Sequence, residues 1–211
     1  YDCFTNGLVY VQAYLPLPEL CSRELSMLKL LTTFMNELGC GGRDYQKTLE
    51  MVQEHTGGIS TYTVLFPSPG EDQDFSSFLS IRGKSLFSKR SELFSLLQDY
   101  CISVDFNDKE RISQLLDQQF CALEASLQQS PMSYAISLAK SNLTLKTKTS
   151  SHWEGLEYYY FIKSLMSDLD ESKIDLLCKE LACLYDKVFH FNSMEWLFTC
   201  SEDERKQLFS E

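Results

Sequence analysis

The stretch from Glu19 to Leu38 most constrains what this chain can fold into. Leu, Met and Phe recur there at helical spacing and occupy most of the circumference, with Met27, Leu28, Leu30, Leu31, Phe34 and Met35 nearly continuous. A helix with so little polar face must be largely buried. The rest of the chain can supply that cover: 44% of the 211 residues are apolar, with 14 Phe and 11 Tyr, and a chain this long buries most of the surface it exposes when unfolded.

Strand and helix signals flank this helix in a definite order. Leu8 to Leu15 carries β-branched and aromatic side chains on both faces, which predicts a strand covered by helices on at least one side, ended by Pro16 and Pro18. Gly39 is placed to close the long helix in a left-handed turn. Asp44 caps the next helix, in which Tyr45, Leu49, Val52 and His55 recur, and Thr56-Gly57-Gly58 stops it. Ile59 to Phe66 and Phe75 to Leu86 are predicted as a hairpin around an acidic, exposed loop, Pro67 to Asp74.

Helices are expected over 88–102, 108–129 with Asn107 or Asp108 as cap, and 132–142 after Pro131. A polar stretch, 144–151, is the one internal candidate for a linker; it leads to a helix holding Trp153, Leu156, Tyr160 and Ile162, then another from Glu171 to Phe189. Glu195 to Cys200 is a last strand, and Ser201 to Glu204 has the capping-box order of a short final helix. The whole predicts an α+β fold, a mainly antiparallel sheet with helices packed on one face, over a single domain 1–211. The non-Met start and the short last helix suggest a piece of a longer polypeptide.

Nineteen basic against 30 acidic residues give a net charge of −11, which repels polyphosphate, and the loose cluster Lys140, Lys146 and Lys148 has no interleaved aromatic residue; no nucleic-acid partner is expected. The acid serves solubility and would also suit cationic peptides. No apolar run approaches the roughly 18 residues of a membrane span, so no membrane partner is expected. The eight cysteines are scattered through apolar elements without a Cys-x-x-Cys pair, which predicts reduced, buried thiols in a cytoplasm-like compartment and makes the Asn142-Leu143-Thr144 sequon incidental.

Reaction chemistry is not legible. His55, His152 and His190 lie far apart, none with a second ligand one helical turn away; Glu54 precedes His55, and side chains about 100° apart on a helix do not share a face. Cys40, in a glycine-flanked turn, looks the most exposed thiol, but a thiol hydrolase would need His55 to reach it in space. No nucleophile elbow is present, and Gly39-Cys40-Gly41-Gly42 lacks the Lys-Ser/Thr of a phosphate loop.

A collinear set of short segments carries a resemblance. Thr5-Asn6-Gly7-Leu8-Val9-Tyr10, Gly57-Gly58-Ile59-Ser60, Ile81-Arg82-Gly83-Lys84-Ser85-Leu86, Phe106-Asn107-Asp108-Lys109-Glu110-Arg111 and Ser151-His152-Trp153-Glu154-Gly155-Leu156-Glu157-Tyr158 occur in order. Together they resemble the third, non-catalytic domain of the presequence protease branch of the pitrilysin and insulinase superfamily of zinc peptidases. That superfamily carries His-x-x-Glu-His on a helix before a Cys-Gly-Ser turn; here Thr32, Met35 and Asn36 stand opposite those ligands, ahead of Cys40-Gly41-Gly42. The resemblance implies no catalytic or metal residue in this chain, with zinc and the catalytic Glu in another domain of the parent. It also implies a chamber-wall role, partners among the other domains of the same protease, and unstructured peptide substrates. An apolar patch should then face the missing parts and drive weak self-association. A free-standing protein-interaction domain is the alternative.

Overall fold

The computed structural model describes residues 4–67, 75–167, 169–189 and 193–208. Its sheet has four strands in the order β2-β3-β1-β4, and every neighbouring pair is antiparallel: β1 is Leu8–Pro16, β2 Ile59–Pro67, β3 Phe75–Leu86 and β4 Glu195–Thr199. Alternation on β1 decides the layering. Val9, Val11, Ala13 and Leu15 are buried, whereas Tyr10 is exposed and Gln12 and Tyr14 only partly covered, so one face of the sheet meets helices and the other does not.

Helix α1, Ser22–Met35, lies against β2 on the covered face, and α3, Arg90–Ile102, lies against β3. Outside them run α4 (Lys109–Gln129), α6 (Leu145–Glu154), α7 (Leu156–Met166) and α8 (Glu171–Val188). Because α6, α7 and α8 all pack on the outer side of α1, α1 is enclosed between the sheet and a second helical layer, as its apolar circumference requires. The remaining helices are α2 (Tyr45–His55), α5 (Pro131–Lys140) and α9 (Glu202–Leu208). One contiguous core joins Val9, Val11 and Leu15 of β1 to Leu31 and Phe34 of α1, Leu116 of α4, Tyr158 of α7 and Leu181 of α8.

Several boundaries differ from the sequence expectation for local reasons. Helix α1 begins at Ser22 because Glu24 accepts the backbone N–H of Cys21 at 2.8 Å, a capping box with an unusual cap residue. It ends at Met35, where the Glu37 N–H turns back to the Phe34 carbonyl at 2.8 Å. Gly39 is not left-handed; that conformation belongs to Gly41 and Gly42, at φ 62° and 72°. Gly39 is needed because a Cβ there would stand 2.3 Å from the Arg43 carbonyl oxygen.

The proposed linker 144–151 is helix. Thr144 and Thr147 cap it reciprocally, each backbone N–H donating to the other's hydroxyl at 3.1 Å, and Ser151 and Trp153 bury its inner side. At Gly155 the chain breaks what was expected as one helix into α6 and α7. Asp44 and Asp108 cap α2 and α4 as expected, accepting from Lys47 and Arg111 at 2.7 and 3.0 Å. The hairpin loop 68–74 and His190 lie outside the described residues.

Helix α5 buries none of its side chains. Met132 is 70% exposed and Leu143, in the turn after α5, 73% exposed, with Ile136, Leu138 and Leu145 also open, so this corner carries the longest run of uncovered apolar residues among those described. The contrast with α1 is measurable: Phe34→Ala should cost about 3–5 kcal/mol in urea unfolding, and Met132→Ala less than about 0.5 kcal/mol.

Candidate functional site

The residues opposite the zinc positions are all spent on structure. The Thr32 hydroxyl donates to the Lys29 carbonyl of its own helix at 3.0 Å, and Met35 is fully buried in the core. Asn36 joins helix to sheet: its amide donates to the Thr32 carbonyl at 2.8 Å, and its carbonyl oxygen accepts the Thr61 N–H at 3.0 Å. The Thr61 hydroxyl donates to the same Thr32 carbonyl at 2.7 Å. The end of α1 thus leaves few polar groups unpaired against β2. Among the described residues no group of three or more His, Cys, Asp or Glu is arranged to hold a metal ion.

Cys40 is fully buried, against the expectation that it is the most exposed thiol. Its turn is pinned on both sides: the Gly41 N–H donates to the Ser103 carbonyl at 3.1 Å, the Asp105 N–H to the Gly39 carbonyl at 2.8 Å, and the Cys40 N–H to the Thr48 hydroxyl at 3.2 Å. Arg43 pairs with Asp99 beside it. Burial pushes the thiol above its ordinary range, with Arg43 and Thr48 opposing, which is the wrong direction for a nucleophile. His55 instead faces Glu54 at 3.8 Å, a contact that the loosening last turn of α2 allows despite their adjacency in sequence.

The seven described cysteines are free thiols, but they are not uniformly buried: Cys21, Cys121 and Cys183 are exposed, and Cys40, Cys101, Cys178 and Cys200 are covered. Cys3 lies outside the described residues. His152, on α6, sits with Nδ1 3.4 Å from the Ser26 hydroxyl of α1. Burial holds its imidazole below the usual value, Glu157 opposing and Lys148 adding to the effect.

The uncovered face of the sheet is the other feature of note. Register places Lys84, Tyr10 and Thr199 in one outward row, Arg82, Gln12 and Leu197 in the next, and Tyr62, Ser80, Tyr14 and Glu195 in a third. Gln12 donates to the Tyr62 hydroxyl at 2.6 Å and to Ser80 at 3.0 Å. Tyr14, Phe66 and Phe78 form an edge-to-face cluster with centroids 5.6–6.2 Å apart. A groove of about 480 Å³ opens on this face beside Gly57 and Gly58. The alternating Arg82 and Lys84 are visible in the sequence, but which side of the strand stays bare depends on where the helices pack.

Fold and side-chain neighbourhoods define the class first: an α+β sheet-and-helix domain whose buried titratable groups serve packing. The chain belongs to the peptidase-associated family of metallopeptidase subfamily 16C, whose model matches residues 1–165. It is 26% identical over 171 residues to presequence protease 1, chloroplastic/mitochondrial, of Arabidopsis thaliana, covering 81% of this chain and 16% of the relative. It is 24% identical over 204 residues to the protein HypA of Clostridium perfringens, covering 97% and 21%. To the mitochondrial presequence protease of Drosophila melanogaster it is 23% identical over 190 residues, covering 90% and 18%. The chain therefore spans a fifth or so of the length of these relatives. No helix among the described residues is long and apolar enough to cross a membrane.

Two outcomes follow. A thiol reagent applied to the native chain should modify Cys21, Cys121 and Cys183, and should reach Cys40 and Cys101, whose thiol burial pushes up to about 12, only after denaturation; peptide mapping that finds rapid native labelling of Cys40 would contradict the buried turn. For His152, the unfolded chain takes up the proton first, so its contribution is complete above about pH 6.5 and is lost as pH falls from there through the lower folded value. His152→Gln should flatten the decline in urea midpoint between about pH 7.5 and about pH 5.5, a difference wild-type protein must show.

Proposed function

We propose that this chain is a non-catalytic domain of a zinc-dependent oligopeptidase or endopeptidase, forming part of the wall of a chamber that encloses unstructured peptides, with the bare face of its sheet turned inward. The observation that carries the reading is the one-sided layering. Helices cover one face of the sheet, while the other presents tyrosines, phenylalanines and hydrogen-bonding side chains to open space, a composition suited to contacting many peptides weakly. Membership in a peptidase-associated family, and relatives several times longer, support partners within the same polypeptide.

In this reading the zinc, its His-x-x-Glu-His helix and the catalytic Glu belong to another domain, and this chain holds no cofactor. Thr32, Met35 and Asn36 occupy the equivalent of the ligand positions, where a hydroxyl, a thioether and an amide have been turned to packing. The apolar strip on α5 and the following turn suits a contact with the other domains. Reduced thiols suit a cytoplasm or an organelle matrix, and two of the relatives are named for mitochondria or chloroplasts. The same apolar strip would equally serve a free-standing protein-interaction domain with no protease partner.

Extending the chain in both directions to the length of its relatives separates the two. The extended protein should hold one zinc and cleave an unstructured peptide, whereas the 211 residues alone should hold none. A photo-crosslinking residue replacing Tyr62 on the bare face should capture the peptide, and one replacing Leu176 on the helical side should not. A zinc-free extended protein, or capture from the helical side, overturns the proposal.

A further inference from the structure

We infer that the groove at the Gly57-Gly58 end of the bare sheet face is a carboxylate-binding site, and that its ligand is a peptide carrying an apolar side chain about four residues before the carboxylate. That the peptide reaches this face rests on the chamber-wall reading; the recognition chemistry stands on the groove itself.

Arg82 and Lys84 are the two basic residues that the strands carry, and at positions i and i+2 of β3 they point to the same side. The Arg82 guanidinium is held in place: its Nε donates to the Ser60 hydroxyl at 2.9 Å, and its carbon sits 5.1 Å over the Tyr62 ring. That leaves the two terminal nitrogens without a protein partner among the described residues, presented as the planar fork that matches a carboxylate. The stem of Lys84 lies across Gly57, where an added Cβ would meet its Cε at 2.8 Å, and its ammonium makes no ion pair among the described residues. Only one carboxylate, Glu195, stands on the strands of this face, and it sits on β4, two strands from β3.

On a chain of net charge −11, two cations left uncompensated in one groove make an anion site against the general field. The groove's volume of about 480 Å³ lies within the range of small-ligand sites. A single fork and one ammonium match one negative charge; no helix N-terminus adds backbone donors of the kind that phosphate sites use. The second half of the recognition follows from the strand. Phe78 is four residues from Arg82 on the same face, roughly 13 Å away at strand rise, and with Tyr14 and Phe66 it forms an aromatic platform. An extended peptide laid along β3 would therefore set its carboxylate on Arg82 and an apolar side chain on this platform.

Calorimetric titration of the 211-residue chain tests the inference with an N-acetylated pentapeptide of phenylalanine followed by four alanines. The free acid should bind at least about tenfold more tightly than its C-terminal amide, as expected for loss of a charge-assisted pair. An amide whose last residue is glutamate distinguishes the source: binding equal to the free acid assigns the site to acidic side chains, weaker binding to chain ends. Replacing the phenylalanine by alanine should weaken binding. Arg82→Gln should abolish the preference for the free acid, and Lys84→Gln and Gly57→Ala should reduce it, each with an unchanged urea midpoint. Equal binding of acid and amide, an unaffected folded Arg82→Gln variant, or displacement by inorganic phosphate at the concentration at which acetate acts would overturn it. Because the readout is the chain alone, a failed site with successful Tyr62 crosslinking, or the converse, separates this inference from the chamber reading.

Discussion

Everything else in the structure is arranged around covering α1. The helix has no face for water, so it is stable only when the sheet closes one side and α6, α7 and α8 close the other. Its ends are treated accordingly. At the start, the capping glutamate Glu24 also accepts from Lys187 of α8 at 2.6 Å, an ion pair that holds its carboxyl below the usual range and ties the first turn to the outer layer. At the finish, Asn36 and Thr61 pass the last carbonyls of the helix to the sheet. One helix thereby couples two layers that share few other contacts.

That arrangement explains why a motif position changes its chemistry so completely. A metal helix must present its ligands into a solvent-reachable space and keep a coordination position open, whereas the end of α1 is walled in. Thr32 is 1% exposed and Met35 not at all, so even an imidazole placed there would meet core side chains before water. Catalytic inertness here is thus a property of the layering as well as of the missing histidines.

Much of the fold was legible because the signals are local. The strand alternation of Leu8 to Leu15, the breakers around Ile59 and the carboxylate caps at Asp44 and Asp108 each depend on a few neighbouring residues, and each of these elements lies within two residues of its expected bounds. The misreadings arose where partners decide. Thr144 to Ser151 is polar and looked like a linker, yet two threonines cap it and Trp153 anchors it in the core. Cys40 sits in a glycine-rich turn, which suggests exposure, until Arg43, Thr48 and Tyr100 close over it. The bare sheet face, on which the functional reading rests, was the least legible feature, since a strand with aromatics on both sides does not reveal which side the helices will take.

The sheet order has a consequence for the life of the chain. β1 is central, paired on one side with β3 and on the other with β4, so that Tyr10 lies opposite Thr199, and the hydroxyl of Thr5 reaches Glu204 of α9 at 3.4 Å. The first strand to leave the ribosome is thus the last to be completed, its second edge open until nearly the whole sequence has followed. Neither β4 nor α8 falls within the residues matched to the family, 1–165, although they finish the sheet and the core. A nascent or clipped form lacking them would carry an unpaired, apolar strand edge through its middle, the geometry that recruits a second copy edge to edge.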